Sequence, residues 1–251
     1  MLQLTNVSKR FGQTQVLEPT DLVVEPGRTT VLIGPSGCGK STLLRMMIGL
    51  IATDTGFVRF GDAEVTPANG LTIRRRMGYV LQDGGLFPHL SAGDNVSLMA
   101  RYLRTDTPQA IESRVRELAE LTRFPVEALK RYPSQISGGQ RQRVGIMRAL
   151  MLEPQVVLLD EPMGALDPLI RFDLQEDLRR IFQTLKKTVV LVTHDLAEAG
   201  FFGDEVVLLG EGRIVQRGRL DDLVRSPANS FVKRFVSAQR GLLPHDGREL
   251  S

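Results

Sequence analysis

The stretch GPSGCGKST, residues 34–42, sets four residues between two glycines and follows the second glycine with Lys40 and Ser41. Glycines let successive backbone N–H groups converge on an anion, and a helix N-terminus behind them adds the favourable end of a dipole. In the run Gly34-Pro35-Ser36-Gly37-Cys38-Gly39-Lys40-Ser41-Thr42 the Lys40 amine supplies a point charge for terminal phosphates. The Ser41 hydroxyl supplies an oxygen for a magnesium shell. A second constellation is acidic. VVLLDEP (156–162) is an apolar run closed by Asp160 and Glu161. A carboxylate at a strand end can hold Mg²⁺ through water, and its neighbour is placed to orient or deprotonate an attacking water. TVVLVTHD (188–195) repeats the form, with His194 just past the run. These residue types in this order point to nucleotide binding and phosphoryl transfer.

A second glycine pair poses a different question. In SQISGGQRQRV (134–144), Ser137 and Gln140 have the spacing of a capping box, and Val144, Met147, Leu150 and Met151 follow at helical intervals. Gly138 and Gly139 nonetheless occupy the first turn, where each glycine costs about 1 kcal/mol against alanine. Nothing in the helix itself accounts for so bare a start.

The elements that must position these groups are legible in outline. The first thirty residues read as short antiparallel strands punctuated by Gly12, Pro19, Pro26 and Gly27. TTVLIG (29–34) is a strand buried on both faces, leading through the glycine loop into a helix that stops at Gly49. Residues 85–153 read as a mainly helical insertion, one of whose helices enters through Thr107 and Pro108. Buried strands then return at 156–160, 188–193 and 205–210, with a helix opening at Asp167-Pro168 between the first two. Alternating strand and helix predicts a parallel sheet covered by helices. The last dozen residues read as a loose tail.

The totals exclude several classes. At 251 residues, 42% hydrophobic and 24% charged, the chain has the composition of a globular protein with ample length for a core. A net charge of +3, without a basic tract interleaved with aromatics, points away from nucleic acid. The single cysteine, Cys38, excludes an internal disulfide and fits a reducing compartment. No apolar run approaches the ~18 residues of a membrane span, and the N-terminus lacks a secretory signal. A cytosolic chain is expected, with any membrane crossing left to other subunits.

ISGGQ resembles the signature sequence of ATP-binding cassette (ABC) ATPases, and other segments then fall into that family's order over roughly residues 2–236. Residues 34–42 match its Walker A loop, Asp160 and Glu161 its Walker B pair, and His194 its switch histidine. Phe11 matches the aromatic that stacks on adenine, Gln82 the Q-loop glutamine, and GALD (164–167), ending in Asp167, the D-loop. The resemblance implies a RecA-like P-loop NTPase core, of α/β class, with an N-terminal antiparallel β subdomain. An α-helical subdomain is inserted at about 85–153, and a tail runs over 237–251. It implies ATP and Mg²⁺ as ligands, the metal held by Ser41, Gln82 and Asp160. Lys40, Gln82, Glu161 and His194 then serve catalysis. Two subunits sandwich ATP head to tail, so Ser137, Gly138, Gly139 and Gln140 of one chain meet the nucleotide of the other. One complete site needs two cassettes.

GLFPHLSAGDNVSL, after Gln82, resembles the stretch by which importer ATPases receive a coupling helix of the membrane subunit, with Phe87, Pro88 and Leu90 lining an apolar groove. The chain is similar to ATPases of osmoprotectant and quaternary-amine uptake (glycine betaine, choline, carnitine). That implies an identical second ATPase subunit, transmembrane permease subunits, and a periplasmic or lipoprotein solute-binding protein. Its place is then the cytoplasmic face of the plasma membrane, and no nucleic acid is involved. Uptake of an amino acid or a polyamine is the alternative cargo reading, and a soluble ABC ATPase acting on nucleic acid the alternative class. Members of the osmoprotectant group often add C-terminal cystathionine-synthase-like modules; this sequence ends before them, so their style of control is not expected.

Overall fold

A computed structural model describes residues 1–164 and 166–240. The chain opens with strands β1 (Leu2–Phe11), β2 (Thr14–Val24) and β3 (Thr29–Ile33), then helix α1 (Lys40–Met47). Strands β4 (Thr55–Phe60) and β5 (Ala63–Glu64), helix α2 (Gly70–Arg74) and strand β6 (Met77–Val80) follow. The stretch after β6 holds helices α3 (Ala92–Leu103), α4 (Pro108–Leu121) and α5 (Gly138–Leu150). Then come β7 (Val156–Asp160), α6 (Pro168–Leu185), β8 (Thr188–Thr193), α7 (Leu196–Phe202), β9 (Glu205–Gly210) and β10 (Arg213–Gly218). Helices α8 (Leu220–Arg225) and α9 (Ser230–Arg240) end the described chain. The boundary drawn at 236 therefore falls inside α9, and the remainder of the expected tail, 241–251, lies outside the described residues.

Among the described residues the strands make two sheets. One is antiparallel, in the order β2-β1-β4-β5. The other runs β10-β9-β3-β8-β7-β6, with β9, β3, β8, β7 and β6 mutually parallel and only β10 antiparallel. Alternation within the parallel strands explains why they read as unbroken apolar runs. Leu32, Leu158, Val190 and Val207 face α1 and the antiparallel sheet, while Ile33, Leu159, Leu191 and Leu208 face the layer of helices. Both faces are covered, so the interior positions of these strands are mostly apolar, and the charged groups come at the strand ends.

The N-terminal strands are longer than the punctuation suggested. Pro19 lies inside the 11-residue β2 rather than between strands. Its missing N–H does no harm there, because β2 is an edge strand and Pro19 falls where pairing with β1 skips between Thr20 and Leu17. The helix starts follow their caps: Thr107, Ser137 and Asp167 each accept a backbone N–H three residues on. The helical stretch is tied to α6 by a buried carboxylate. Asp177, 2% exposed, takes ion pairs from Arg143 on α5, Arg123 beyond α4 and Arg180 on its own helix.

Candidate nucleotide site

Four neighbouring parallel strands each deliver one motif at the same sheet edge. β3 runs into residues 34–42, β8 into His194, β7 into Asp160 and Glu161, and β6 leads to Gln82. The register aligns these ends: Ile33 lies beside Thr193, Val192 beside Asp160, and Leu159 beside Val80. This carboxyl edge is where doubly wound sheets hold ligands.

The glycine loop needs its glycines for close approach as well as for conformation. Gly39 caps α1 with φ 100°, and a Cβ there would stand 2.9 Å from the Val16 carbonyl on β2. A Cβ on Gly34 would lie 2.3 Å from the carbonyl of Leu209 on β9. The start of α1 has no side-chain cap and no acidic residue in its first turn, so its N–H groups have no anionic neighbour within the helix. Lys40 is buried, and its Nζ donates to the carbonyls of Gly34 at 2.8 Å and Pro35 at 2.9 Å, which holds the amine over the loop. Pro35, Ser36 and Gly37 are exposed; Ser41 and Thr42 are half-buried. Burial pushes the Cys38 thiol up despite nearby Lys40, so it stays protonated at neutral pH and packs as a small apolar group.

Two side-chain oxygens meet beside the loop. Ser41 Oγ donates to Asp160 Oδ1 at 2.7 Å, and Asp160 is buried. The phenol of Tyr79 donates to the other carboxylate oxygen at 3.3 Å. Burial, then the charge of Asp160, raises the Tyr79 pKa, so it remains a donor. Sequence reasoning passed over Tyr79; the available signal was its place in β6, the strand paired with β7.

Glu161 adopts a left-handed backbone, φ 48°, stabilised by its N–H donating to the Val192 carbonyl at 3.1 Å. A non-glycine residue in that region costs about 1–3 kcal/mol where the surroundings impose it. The turn aims the carboxylate at His194, with Glu161 Oε2 and His194 Nδ1 3.4 Å apart. Gln82 is exposed and reaches the same place: a Cβ built on Gly164 would lie 3.4 Å from Gln82 Nε2 and 3.5 Å from Glu161 Oε2. A carboxylate, an imidazole and an amide thus come together next to the phosphate loop. The His194 turn is braced from below. Glu198, 2% exposed, takes bonds from Thr193 Oγ1 and Arg171, and Arg171 also pairs with Asp195. Glu198 and Arg171 went unread in the sequence because they stand on different helices.

Phe11 ends β1 exposed, with Lys9 Nζ 5.6 Å from its ring centroid. It is not a core residue. The adjoining strand passes Val16 against Gly39, so the hairpin bearing Phe11 leans over the loop.

The signature stretch stands apart. Among the described residues no hydrogen bond or ion pair joins 137–140 to 34–42. Ser137 Oγ accepts from the N–H of Gln140 at 3.2 Å, and the Gln140 carboxamide oxygen accepts from the N–H of Ser137 at 3.0 Å. The capping box is complete, leaving the Ser137 hydroxyl proton to donate elsewhere. The two glycines differ in origin. A Cβ on Gly139 would stand 2.4 Å from Ile170 Cγ2, so packing against α6 alone excludes a side chain. On Gly138 a Cβ would meet nothing closer than Leu166 at 3.6 Å. Only Gly138 is bare without a reason inside the chain. Asp167 is exposed and caps α6, accepting from Ile170 N–H at 3.2 Å; Ala165 of the 164–167 motif lies outside the described residues.

After Gln82, Phe87 and Pro88 are exposed and Leu90 is half-buried. The buried Asn95 holds this turn by accepting from the Phe87 N–H and donating to the carbonyls of Phe87, Leu90 and Ser91. Met99 and Tyr102 on α3 are exposed as well. No helix among the described residues is long and apolar enough to cross a membrane.

Residues 17–164 match the family described as ABC transporter. The chain is 42% identical over 241 residues to the glycine betaine/carnitine/choline transport ATP-binding protein of Bacillus subtilis, covering 96% of this chain and 63% of that one. A glycine betaine uptake system ATP-binding protein of Escherichia coli is 43% identical over 235 residues, covering 94% and 76%. A sulfate/thiosulfate import ATP-binding protein of Synechococcus elongatus is 42% identical over 235 residues, covering 94% and 67%. Among solved structures, a dimeric post-hydrolysis ATP-binding cassette bound to ADP and Pi superposes with a TM-score of 0.80 at 31% identity, covering 88% of this chain and 99% of that one. A family match over more than half of the residues, and identity above two fifths across nearly the whole length, make this chain a member of the ABC transporter family.

Proposed function

We propose that this chain is the ATP-hydrolysing, energy-coupling subunit of a membrane importer, acting as a head-to-tail pair of identical subunits. The observation that carries the reading is the division of the site. One chain gathers the phosphate loop, Asp160, Glu161, Gln82 and His194 at one sheet edge, yet among the described residues its Ser137 helix start bonds to none of them. A second copy supplies that start, with the N–H groups of Gly138 and Gly139 and the Ser137 hydroxyl meeting the γ-phosphate.

In this reading Lys40 and the N-terminus of α1 hold the phosphates, and Phe11 stacks on the base. Ser41 and Asp160 offer hard oxygens 2.7 Å apart, the donor type Mg²⁺ takes, with the Gln82 amide oxygen as a third. The ion supplies charge that neutralises the phosphate oxygens. Glu161 accepts a proton from the attacking water, and His194, beside it, donates to the γ-phosphate; the rest is positioning and electrostatics.

Gly138→Ala separates a partner-facing glycine from a packing one. The new methyl fits, and alanine in the first turn should raise stability by up to about 1 kcal/mol. ATPase activity should nonetheless fall roughly tenfold or more, because the methyl shields the backbone donors from the opposing phosphate. A more stable and fully active variant refutes the role.

The exposed Phe87, Met99 and Tyr102 support a reading in which permease subunits dock on this side, with the pair held at the cytoplasmic face of the plasma membrane. A periplasmic or lipoprotein solute-binding protein would complete the system. The relatives that transport glycine betaine, choline and carnitine favour an osmoprotectant or quaternary-amine cargo. The sulfate/thiosulfate relative, at equal identity, favours an inorganic anion as the second reading. The chain spans 63% of the length of the Bacillus relative, and the ATPase never touches the cargo, so uptake is the test. Cells lacking this chain should lose accumulation of radiolabelled glycine betaine or choline and keep that of sulfate. Loss of sulfate uptake alone reverses the assignment.

A further inference from the structure

The loop that carries Gln82 is fastened to the same helix that begins at Ser137. Arg148, three turns along α5, forks onto two successive carbonyls: Nη1 donates to Gly85 at 2.7 Å and Nη2 to Gly84 at 2.7 Å. Among the described residues no carboxylate pairs with Arg148, and burial alone lowers its pKa. A desolvated cation without a counter-ion is an expensive choice for stability. The same helix face holds the loop at two further points. Gln142 Nε2 donates to the Leu81 carbonyl at 3.4 Å, and a Cβ on Gly145 would lie 3.1 Å from Gly84 Cα. A Cβ on Gly84 would in turn lie 2.9 Å from the Arg141 carbonyl. Residues 81–85 are thus a fixture of α5, although in sequence they continue β6.

We propose that Arg148 is a positioning residue that makes Gln82 and the Ser137 helix start one rigid body, so that γ-phosphate contact at Gln82 sets the signature end against the partner's nucleotide. The inference rests on the head-to-tail reading above. Its physical content is leverage. The bidentate guanidinium fixes both distance and orientation of the loop, and the helix carries that orientation about 16 Å to its first turn. Lysine, with one ammonium, cannot hold two carbonyls in a fixed plane.

The test compares wild type with Arg148→Met and Arg148→Lys, alone and on a Gln82→Ala background. Thermal unfolding and fluorescent-nucleotide binding to dilute protein are read beside ATPase kinetics. Both Arg148 variants should bind nucleotide within about twofold of wild type, since the phosphate loop is untouched. Their kcat should fall about 10–100-fold, the scale of a misplaced catalytic group. The Hill coefficient for ATP should drop from near 2, its ceiling for two sites, towards 1. On the Gln82→Ala background the Arg148 change should cost little more, whereas a general structural role would lower kcat by the same factor in both backgrounds. Should the methionine variant not fold, the lysine variant carries the same comparison. Equal losses in both backgrounds, or full cooperativity in a folded variant, overturn the inference alone. A wild-type rate strictly proportional to protein concentration, with a Hill coefficient of 1, overturns the two-chain reading and this inference with it.

Discussion

Glu161→Gln should stop turnover and leave ATP bound. The carboxylate lies 3.4 Å from His194 and close to Gln82, while the neighbouring acid, Asp160, is already bonded to Ser41 and Tyr79. Glutamine keeps the shape and removes the base. Losing a positioned base costs about 10²–10⁴ in rate. Because Lys40, Ser41 and the helix terminus are untouched, affinity for ATP should persist, and closed pairs should accumulate. Size-exclusion chromatography with ATP should then show a dimer that wild type, by hydrolysing its ligand, does not retain. Hydrolysis at the normal rate by Glu161→Gln would remove the base assignment altogether.

The second large effect is complementation between two dead proteins. Ser137→Arg puts a bulky cation at the α5 start, and Lys40→Ala removes the phosphate-binding amine. Each variant alone carries one lesion in both composite sites and should be inactive. In a mixed pair the lesions fall together on one site and leave the other whole. Random re-pairing should therefore restore about a quarter of the wild-type rate, since half of the pairs are mixed and each keeps one of two sites. Placing both changes on one chain opposite a wild-type partner should damage both sites and give no such recovery. If the two variants stay inactive however they are mixed, the nucleotide is not shared between chains.

Much of the sheet was legible because its chemistry is local. β3, β7, β8 and β9 sit between two cores, so their sequences are continuous apolar runs that end where polar side chains first find space. Helix starts at Thr107, Ser137 and Asp167 were legible for a related reason: a side chain three residues from its acceptor announces itself without tertiary information. The order β3-β8-β7-β6, which brings four motifs to one edge, depends on pairings between residues up to 160 apart in the chain and has no local signature. Pro19 was overread because its effect depends on whether β2 is an edge strand. Tyr79, Glu198 and Arg148 were missed for the same reason as each other. A buried polar contact between distant elements leaves no trace in spacing. Gly139 is instructive in the opposite direction: its bareness, attributed to a visiting anion, is already demanded by Ile170.

The left-handed turn at Glu161 has a consequence for anyone trying to make this protein more heat-resistant. A common recipe replaces residues of positive φ by glycine, gaining up to about 1 kcal/mol at each position where the side chain does nothing else. Arg104 and Lys186 at helix ends, and Glu211 in the β9–β10 hairpin, are sound targets for it. Applied without regard to position, the recipe would also select Glu161 and, if Glu161 is the proposed base, deliver a hardier protein without its engine.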